Sequence, residues 1–101
     1  MNEPGGIIQK FTDLRVWKEG HKLVLNTYRL TTFFPKEELF GLVSQMRRSA
    51  VSITSNIAEG FSRKSYKEKI QFYYIALGSI TELQNQLLNS QGYRYAKKRI
   101  F

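Results

Sequence analysis

The sequence predicts an all-α fold in which three helices, joined by short connections, pack as antiparallel neighbours in a bundle. Apolar residues recur at spacings of three and four along three segments, and short stretches rich in turn-forming residues separate these segments. No segment alternates between apolar and polar residues for long enough to indicate a strand. The 101 residues allow one domain, which we place at residues 12–92.

The first helix is predicted over residues 13–32. It follows an arm, residues 1–11, that is rich in turn formers and is expected to be flexible. Thr12 and Asp13 offer an N-cap. Pro35 disfavours helical backbone in the residue before it and therefore marks the end of the segment. One stripe of this helix is formed by Leu14, Trp17, His21, Val24, Tyr28 and Thr31.

The second helix is predicted over residues 36–59. Pro35 suits the first turn of a helix, and Glu37 and Glu38 are favourable near its positive end. Gly60 is expected to end the helix in the left-handed conformation. The apolar stripe consists of Leu39, Leu42, Val43, Met46, Ala50, Ile53 and Ile57.

The third helix is predicted over residues 66–91, where Ser65 and Glu68 form a capping box at its start. Gly92 is expected to end the helix, and residues 93–101 follow as a short basic tail with aromatic side chains. The helical period is carried by Ile70, Tyr73, Leu77, Ile80, Leu83 or Gln84, and Leu87.

Residues 49–58 and 70–81 carry no charged side chain on any face. A helix without a charged side is normally covered on both sides, and a chain this small cannot cover two such helices by itself. We therefore expect a homo-oligomer in which identical subunits bury the second apolar faces. In the alternative interpretation, the second helix has an uncharged solvent face formed by Ser49, Ser52, Thr54 and Ser55.

The chain is strongly basic, with 16 Lys and Arg residues against 8 Asp and Glu residues and a formal net charge of +8. The excess is concentrated in residues 61–101, which hold eight cations and two anions. This balance favours polyanionic partners, with nucleic acid first and an anionic membrane surface second. The alternative is a charge that only keeps the protein soluble.

The absence of cysteine excludes a disulfide scaffold, a thiolate metal site and a cysteine nucleophile. A single histidine disfavours the common zinc ligand sets and a histidine-based catalytic triad. We expect no cofactor, no metal and no small-molecule substrate. No segment reaches the roughly 18 apolar residues of a membrane span and no signal peptide is evident, so we expect a cytoplasmic protein without a membrane partner.

Two groups of cations are candidate nucleic-acid contacts outside the second helix. Arg63, Lys64 and Lys67 surround the start of the third helix, where unpaired backbone N–H groups and positive charge together favour phosphate. The alternative there is a solvated turn. Four further cations share one side of the first helix, which is either a ridge that follows a phosphate backbone or an ordinary solvated face: Arg15, Lys18, Lys22 and Arg29.

Arg47 and Arg48 are adjacent and therefore point about 100° apart on the second helix. Arginine forks suit phosphate or carboxylate groups. In one interpretation both arginines contact phosphate. In the other, at least one of them pairs with Glu59, with Glu82 or with a carboxylate of a neighbouring subunit.

Arg15 and His21 also have the loose spacing seen in some helical ribonucleases. Six residues on a regular helix leave the two side chains about 120° apart, which disfavours a shared catalytic site. We therefore expect a partly buried, hydrogen-bonded His21 and no enzymatic activity.

Several short segments resemble one family in their order and composition. They are DLRVWK at 13–18, FPKEE at 34–38, FGL at 40–42, QMRRSA at 45–50, SITSNIAEG at 52–60, and ALGS at 76–79 before ELQ at 82–84. The chain resembles, over roughly residues 11–88, the four-helix bundle proteins encoded by intervening sequences of bacterial 23S ribosomal RNA genes. Within these segments we interpret Asn56, Glu59 and Gly60 as a structural motif, in which Arg63 or another arginine offsets the charge of Glu59 at a helix C-terminus.

The resemblance implies a left-handed up-down bundle of the four-helix type, association as a ring of five and a nucleic-acid-binding role. A related bundle is an accessory to the reverse transcriptase of diversity-generating retroelements. Family members continue past the third helix, which ends here near Gly92 and Tyr93, into a fourth amphipathic helix. This chain has only the short basic tail, so we expect a bundle without most of the fourth helix.

We therefore expect a non-enzymatic, oligomeric RNA-binding bundle whose partners are copies of itself and an RNA or ribonucleoprotein. The alternative is a scaffold subunit whose basic surface meets an acidic protein. No base-reading module is visible in the sequence.

Overall fold

The computed structural model describes residues 7–92, and this range is all-α with no strand. Its long helices are α1 (Arg15–Thr31), α2 (Ser44–Ser62) and α3 (Tyr66–Gly92). The predicted tail at residues 93–101 and residues 1–6 of the predicted arm lie outside the described residues.

The start of α1 differs from the predicted cap. Leu14 occupies the N-cap position and no side chain caps the helix. The Asp13 carboxylate instead accepts hydrogen bonds from the backbone N–H groups of Gln9 at 3.0 Å and Lys10 at 3.2 Å, which closes a 3-10 turn at Phe11–Asp13. These two donors hold the pKa of the Asp13 carboxyl below its ordinary value.

The segment after Pro35 does not continue as the regular helix that the apolar spacing predicts. It forms a 3-10 turn at Lys36–Glu38 and a π turn at Leu39–Val43, and α2 begins only at Ser44. Gly41 has φ −110° and ψ −108°, outside the helical region, and the Glu38 carboxylate accepts from the N–H of Leu42 at 3.3 Å. The predicted start at residue 36 is therefore eight residues too early for the α-helix.

The prediction that Gly60 ends the second helix in a left-handed conformation is wrong. Gly60 is buried within α2, which continues to Ser62. A Cβ atom at this position would lie 2.6 Å from Cε1 of Tyr73 on α3. The glycine is therefore required for close packing of α3 rather than for a turn.

The third helix begins at its predicted first residue and is helical as far as Gly92, the last described residue. Ser65 lies just before Tyr66, and its hydroxyl accepts from the N–H of Glu68 at 3.1 Å. This is the side-chain-to-backbone half of the expected capping box.

The helix α2 packs against both α1 and α3, whereas α1 and α3 approach each other much less. Gly20 permits the approach of α1, since a Cβ atom there would lie 3.0 Å from Cγ2 of Thr54. The buried apolar core is formed by Phe34, Val43, Met46, Ala50, Ile53, Ile57, Ala76 and Leu83. All but three of these residues belong to α2 or to the π turn before it, so α2 is the central helix.

The uncharged stretch of α2 is only partly exposed. Ser49 and Thr54 are buried against the neighbouring helices, Ser52 is half-buried and Ser55 is exposed. The interpretation of these four residues as one solvent face is therefore wrong for Ser49 and Thr54.

Candidate nucleic-acid interface

The structure places the four predicted cations of α1 on the side opposite its buried residues. Gly20, Thr27 and Thr31 are the buried positions of this helix. At 100° per residue, the four cations fall within about 60° of one another and are centred roughly 180° from those positions. We refer to this set as the basic ridge: Arg15, Lys18, Lys22 and Arg29.

The contacts of Lys22 and Arg29 on the basic ridge are local and exposed. Lys22 pairs with Glu19 at 3.2 Å, and Arg29 donates to the side-chain oxygen of Asn26 at 2.8 Å. The Lys18 side chain has no hydrogen bond or ion pair within residues 7–92. Exposed pairs of this kind contribute about 0.2–1 kcal/mol each, so a phosphate group can replace them at little cost.

The three cations around the start of α3 do not act as one group. The Arg63 guanidinium pairs with Glu59 at 2.9 Å and lies 4.7 Å from the ring centroid of Phe72. Lys64 and Lys67 are exposed and have no hydrogen-bond or ion-pair partner within the described residues. Within the described residues, Lys64 and Lys67 are therefore the cations of this turn that no protein group competes for.

Lys69 has a structural role that sequence reasoning missed. Its ammonium donates to the carbonyl oxygens of Phe61 at 2.7 Å and Gly60 at 3.2 Å, near the C-terminal end of α2. A cation at this position stabilises the carbonyl groups that have no partner within the helix. The sequence feature that could have predicted this role is a lysine one turn into the helix that follows α2.

The adjacent arginines of α2 have different surroundings. Arg47 donates from Nε to the Thr31 hydroxyl at 2.9 Å, and its guanidinium lies 4.6 Å from the ring centroid of Tyr28. Arg48 is exposed and has no hydrogen bond or ion pair within residues 7–92. Arg47 therefore joins α1 to α2 through neutral partners rather than through the carboxylates considered above, and Arg48 is the arginine open to a ligand.

The motif of Asn56, Glu59 and Gly60 is engaged within the protein. The Asn56 amide donates to the backbone carbonyl of Ser52 at 2.8 Å and to its hydroxyl at 3.0 Å. Glu59 takes the ion pair with Arg63, as the interpretation of the motif anticipated. These contacts, with the packing at Gly60, support a structural role.

His21 is exposed and not partly buried as expected. Its ring stacks on Trp17, with centroids 4.9 Å apart and planes inclined by 10°. Stacking on an indole accounts for the presence of a histidine on the apolar stripe.

A polar cleft lies between α2 and α3, and sequence reasoning did not identify it. Its volume is about 540 Å³. The hydroxyl of the buried Ser49 donates to one carboxylate oxygen of Glu82 at 3.0 Å. The cleft is lined by Gln45, Arg48, Ser49 and Ser52 of α2 and by Glu82 and Gln86 of α3.

The opposite flank of α3 borders an apolar groove of about 560 Å³. Val16 of α1 and Leu77 of α3 both line this groove, and they are 57% and 55% exposed. Large apolar side chains of α1 and α3 are therefore exposed along one groove. The groove is lined by Leu14, Val16, Ile57, Ile70, Tyr73, Tyr74, Ala76, Leu77 and Ile80.

Residues 7–92 contain no helix with the length and apolar composition needed to cross a bilayer. Within the same range, no three His, Asp or Glu side chains come together as potential metal ligands.

One family of known proteins matches most of the chain. None of the curated proteins matches this chain. The model of one family, described as the 23S rRNA-intervening sequence protein, matches residues 12–101. This match includes all three helices and the basic ridge, so the chain belongs to the 23S rRNA-intervening sequence protein family.

Proposed function

We propose that the protein is a non-enzymatic, oligomeric helix bundle that binds structured RNA, alone or in a ribonucleoprotein, in the bacterial cytoplasm. The observation that carries this proposal is the basic ridge, which lies opposite the buried side of α1. An array of cations on one face of a rigid helix attracts phosphates and releases their counterions. The net charge of +8 adds a long-range attraction for any polyanion.

Further cations extend the positive surface beyond α1. Lys64 and Lys67 are exposed at the turn into α3, and Arg48 is exposed on α2. None of the three has a hydrogen-bond or ion-pair partner within residues 7–92. Contacts with phosphate position an RNA without reading its sequence, so this part of the interface is expected to be sequence-independent.

Self-association is the second part of the proposal, with an antiparallel up-down bundle of the four-helix type and a ring of five as the expected arrangement. The apolar groove supports it, because an exposed apolar surface of this extent favours burial against another chain. Repetition of the basic ridge around an oligomer would strengthen RNA binding through multivalency.

Equilibrium binding of a structured RNA over a range of salt concentrations tests the RNA-binding function. We expect the logarithm of the association constant to fall linearly with the logarithm of salt concentration. Lys18→Gln should reduce that slope by about one, because one phosphate contact is lost. Lys36→Gln is the matched control, since it removes the same charge from an exposed 3-10 turn that is not part of the basic ridge.

Binding that does not depend on salt, or equal effects of the two lysine variants, would contradict the role of the basic ridge. If RNA binding is absent while the oligomer forms, the alternative function is favoured, namely a scaffold subunit that meets an acidic protein.

Sedimentation velocity tests the association. Leu77→Glu should shift the protein toward a smaller species, because it places a charge in the apolar groove. Ile75→Glu is the control, since Ile75 is 51% exposed on the same helix and does not line the groove. Equal sedimentation of wild type and Leu77→Glu would contradict association through this surface.

A further inference from the structure

The polar cleft brings together hydrogen-bonding groups that the protein leaves incompletely paired. Arg48 has no hydrogen-bond or ion-pair partner within residues 7–92, although Glu82 lines the same cleft. Glu82 uses one carboxylate oxygen to accept from Ser49. Gln86 is 6% exposed, and its side-chain oxygen is buried with no donor among the described residues. A buried acceptor without a partner costs free energy, so this arrangement favours a ligand that supplies donors.

The two charged groups define the ligand further. A carboxylate recognises two neighbouring N–H donors, and an arginine fork recognises two neighbouring acceptors. Ser49 anchors the Glu82 carboxylate from the buried side of α2, which fixes its position at the cleft. A planar molecule with two neighbouring N–H donors on one edge and two neighbouring acceptors on another edge would match Glu82 and Arg48 together.

Guanine is the nucleobase with this pair of edges. Its N1–H and N2–H₂ groups are adjacent donors, and its O6 and N7 atoms are adjacent acceptors that arginine binds as a fork. Adenine and cytosine place an acceptor beside their amino group, and uracil flanks its single N–H with two carbonyl oxygens. In each of these three bases an acceptor would lie against the Glu82 carboxylate, which is unfavourable because the carboxylate is also an acceptor.

We infer that the polar cleft between α2 and α3 receives one unpaired guanine of a bound RNA. The guanine places its N–H edge against Glu82 and Gln86 and its O6/N7 edge against Arg48. Unpaired bases expose both edges in this way, whereas bases within an RNA helix do not. The cleft volume of about 540 Å³ lies within the range of roughly 300–1,000 Å³ found for small-molecule sites.

This inference rests on the proposed RNA-binding function and adds a base-specific contact to it. The basic ridge supplies affinity for any phosphate backbone, and the polar cleft selects one base. In this arrangement Arg48 contacts the base rather than a phosphate, whereas Lys64, Lys67 and the basic ridge contact the backbone.

The test is a titration of the full chain with the four ribonucleoside monophosphates, followed by backbone amide NMR shifts and by calorimetry. The four ligands carry the same ribose phosphate, so they differ only in the base. We expect GMP to bind about tenfold more tightly than AMP, CMP or UMP and to shift the amide signals of Ser49, Glu82 and Gln86. Glu82→Gln should abolish this preference, because an amide cannot accept from both guanine donors.

Glu19→Gln is the matched control, since it changes the net charge by the same amount at an exposed position of α1. It should leave the GMP preference unchanged. Arg48→Lys keeps the charge and removes the fork, so it should reduce the preference for GMP. Circular dichroism of each variant verifies that the fold is retained.

Equal binding of the four nucleotides, or an unchanged GMP preference in Glu82→Gln, would overturn the guanine site. In that case salt-dependent binding of a structured RNA still supports the proposed function. Conversely, selective GMP binding without any binding of a structured RNA would leave the cleft assignment in place and contradict the proposed function.

Discussion

Arg47 of α2 donates from Nε to the hydroxyl of Thr31, the last residue of α1, over 2.9 Å. Thr31 is buried, and its hydroxyl donates to the carbonyl oxygen of Thr27 at 2.8 Å. The guanidinium also covers the ring of Tyr28. Two residues at the end of α1, Tyr28 and Thr31, thus hold one arginine of the adjacent pair, and its neighbour Arg48 remains exposed.

Replacement of the two arginines should therefore separate stability from binding. Arg47→Ala is expected to lower the free energy of unfolding by about 1 kcal/mol, because it removes a hydrogen bond and a cation–π contact. Arg48→Ala should change it by no more than about 0.5 kcal/mol, since this side chain has no hydrogen-bond or ion-pair partner to lose within residues 7–92. Urea denaturation measures both values, and equal losses would contradict the division of roles.

Gly60→Ala should destabilise the protein by about 1–3 kcal/mol, because the added methyl group would lie 2.6 Å from the Tyr73 ring and forces the helices apart. Gly78→Ala on α3 is the control, since a Cβ atom there meets nothing within 4 Å. That variant should be more stable by about 0.5–1 kcal/mol through its helix propensity. Thermal unfolding of both variants tests whether Gly60→Ala lowers the stability and Gly78→Ala raises it.

Lys69→Met should lower the free energy of unfolding by about 1–2 kcal/mol, because the methionine keeps the apolar packing and removes the donors to the Gly60 and Phe61 carbonyls. Lys67→Met, two residues earlier and exposed, should have little effect on stability. Chemical denaturation distinguishes the two lysines. A larger loss in Lys67→Met would show that the turn is not held by Lys69.

The Asp13 carboxyl should titrate below the ordinary pKa of aspartate, because the N–H groups of Gln9 and Lys10 stabilise its charged form. A lowered pKa in the folded state means that this contribution to stability is present above the unfolded-state pKa and is lost as the pH falls through the folded-state value. Side-chain NMR titration measures the pKa directly. Asp13→Asn should remove this part of the acid dependence.

The basic ridge could be located from the sequence because helical periodicity alone sets it. The spacing of Arg15, Lys18, Lys22 and Arg29 determines a common side, whatever α1 packs against. The start of α2 could not be located in the same way. A helical stripe is indicated there by Leu39, Leu42 and Val43. The structure differs because Gly41 adopts a non-helical conformation and the Glu38 carboxylate accepts a hydrogen bond from the N–H of Leu42.

The polar cleft was beyond sequence reasoning because it depends on the register of two helices. Ser49 and Glu82 are 33 positions apart, and their contact exists only for one alignment of α2 with α3. Gly60 contributes to that alignment by allowing Tyr73 to approach. A pattern within either helix contains no information about this pairing.

The stacking of Trp17 on His21 also provides an intrinsic optical probe. Trp17 is the single tryptophan of the chain and immediately precedes Lys18 of the basic ridge in the sequence. The ring centroids of Trp17 and Phe11 are 5.5 Å apart in an edge-to-face arrangement. An RNA seated along α1 would alter the indole surroundings and hence its fluorescence emission, whereas a nucleotide held between α2 and α3 would leave the emission unchanged. The native protein can thus report, without any label, which of its two surfaces is occupied.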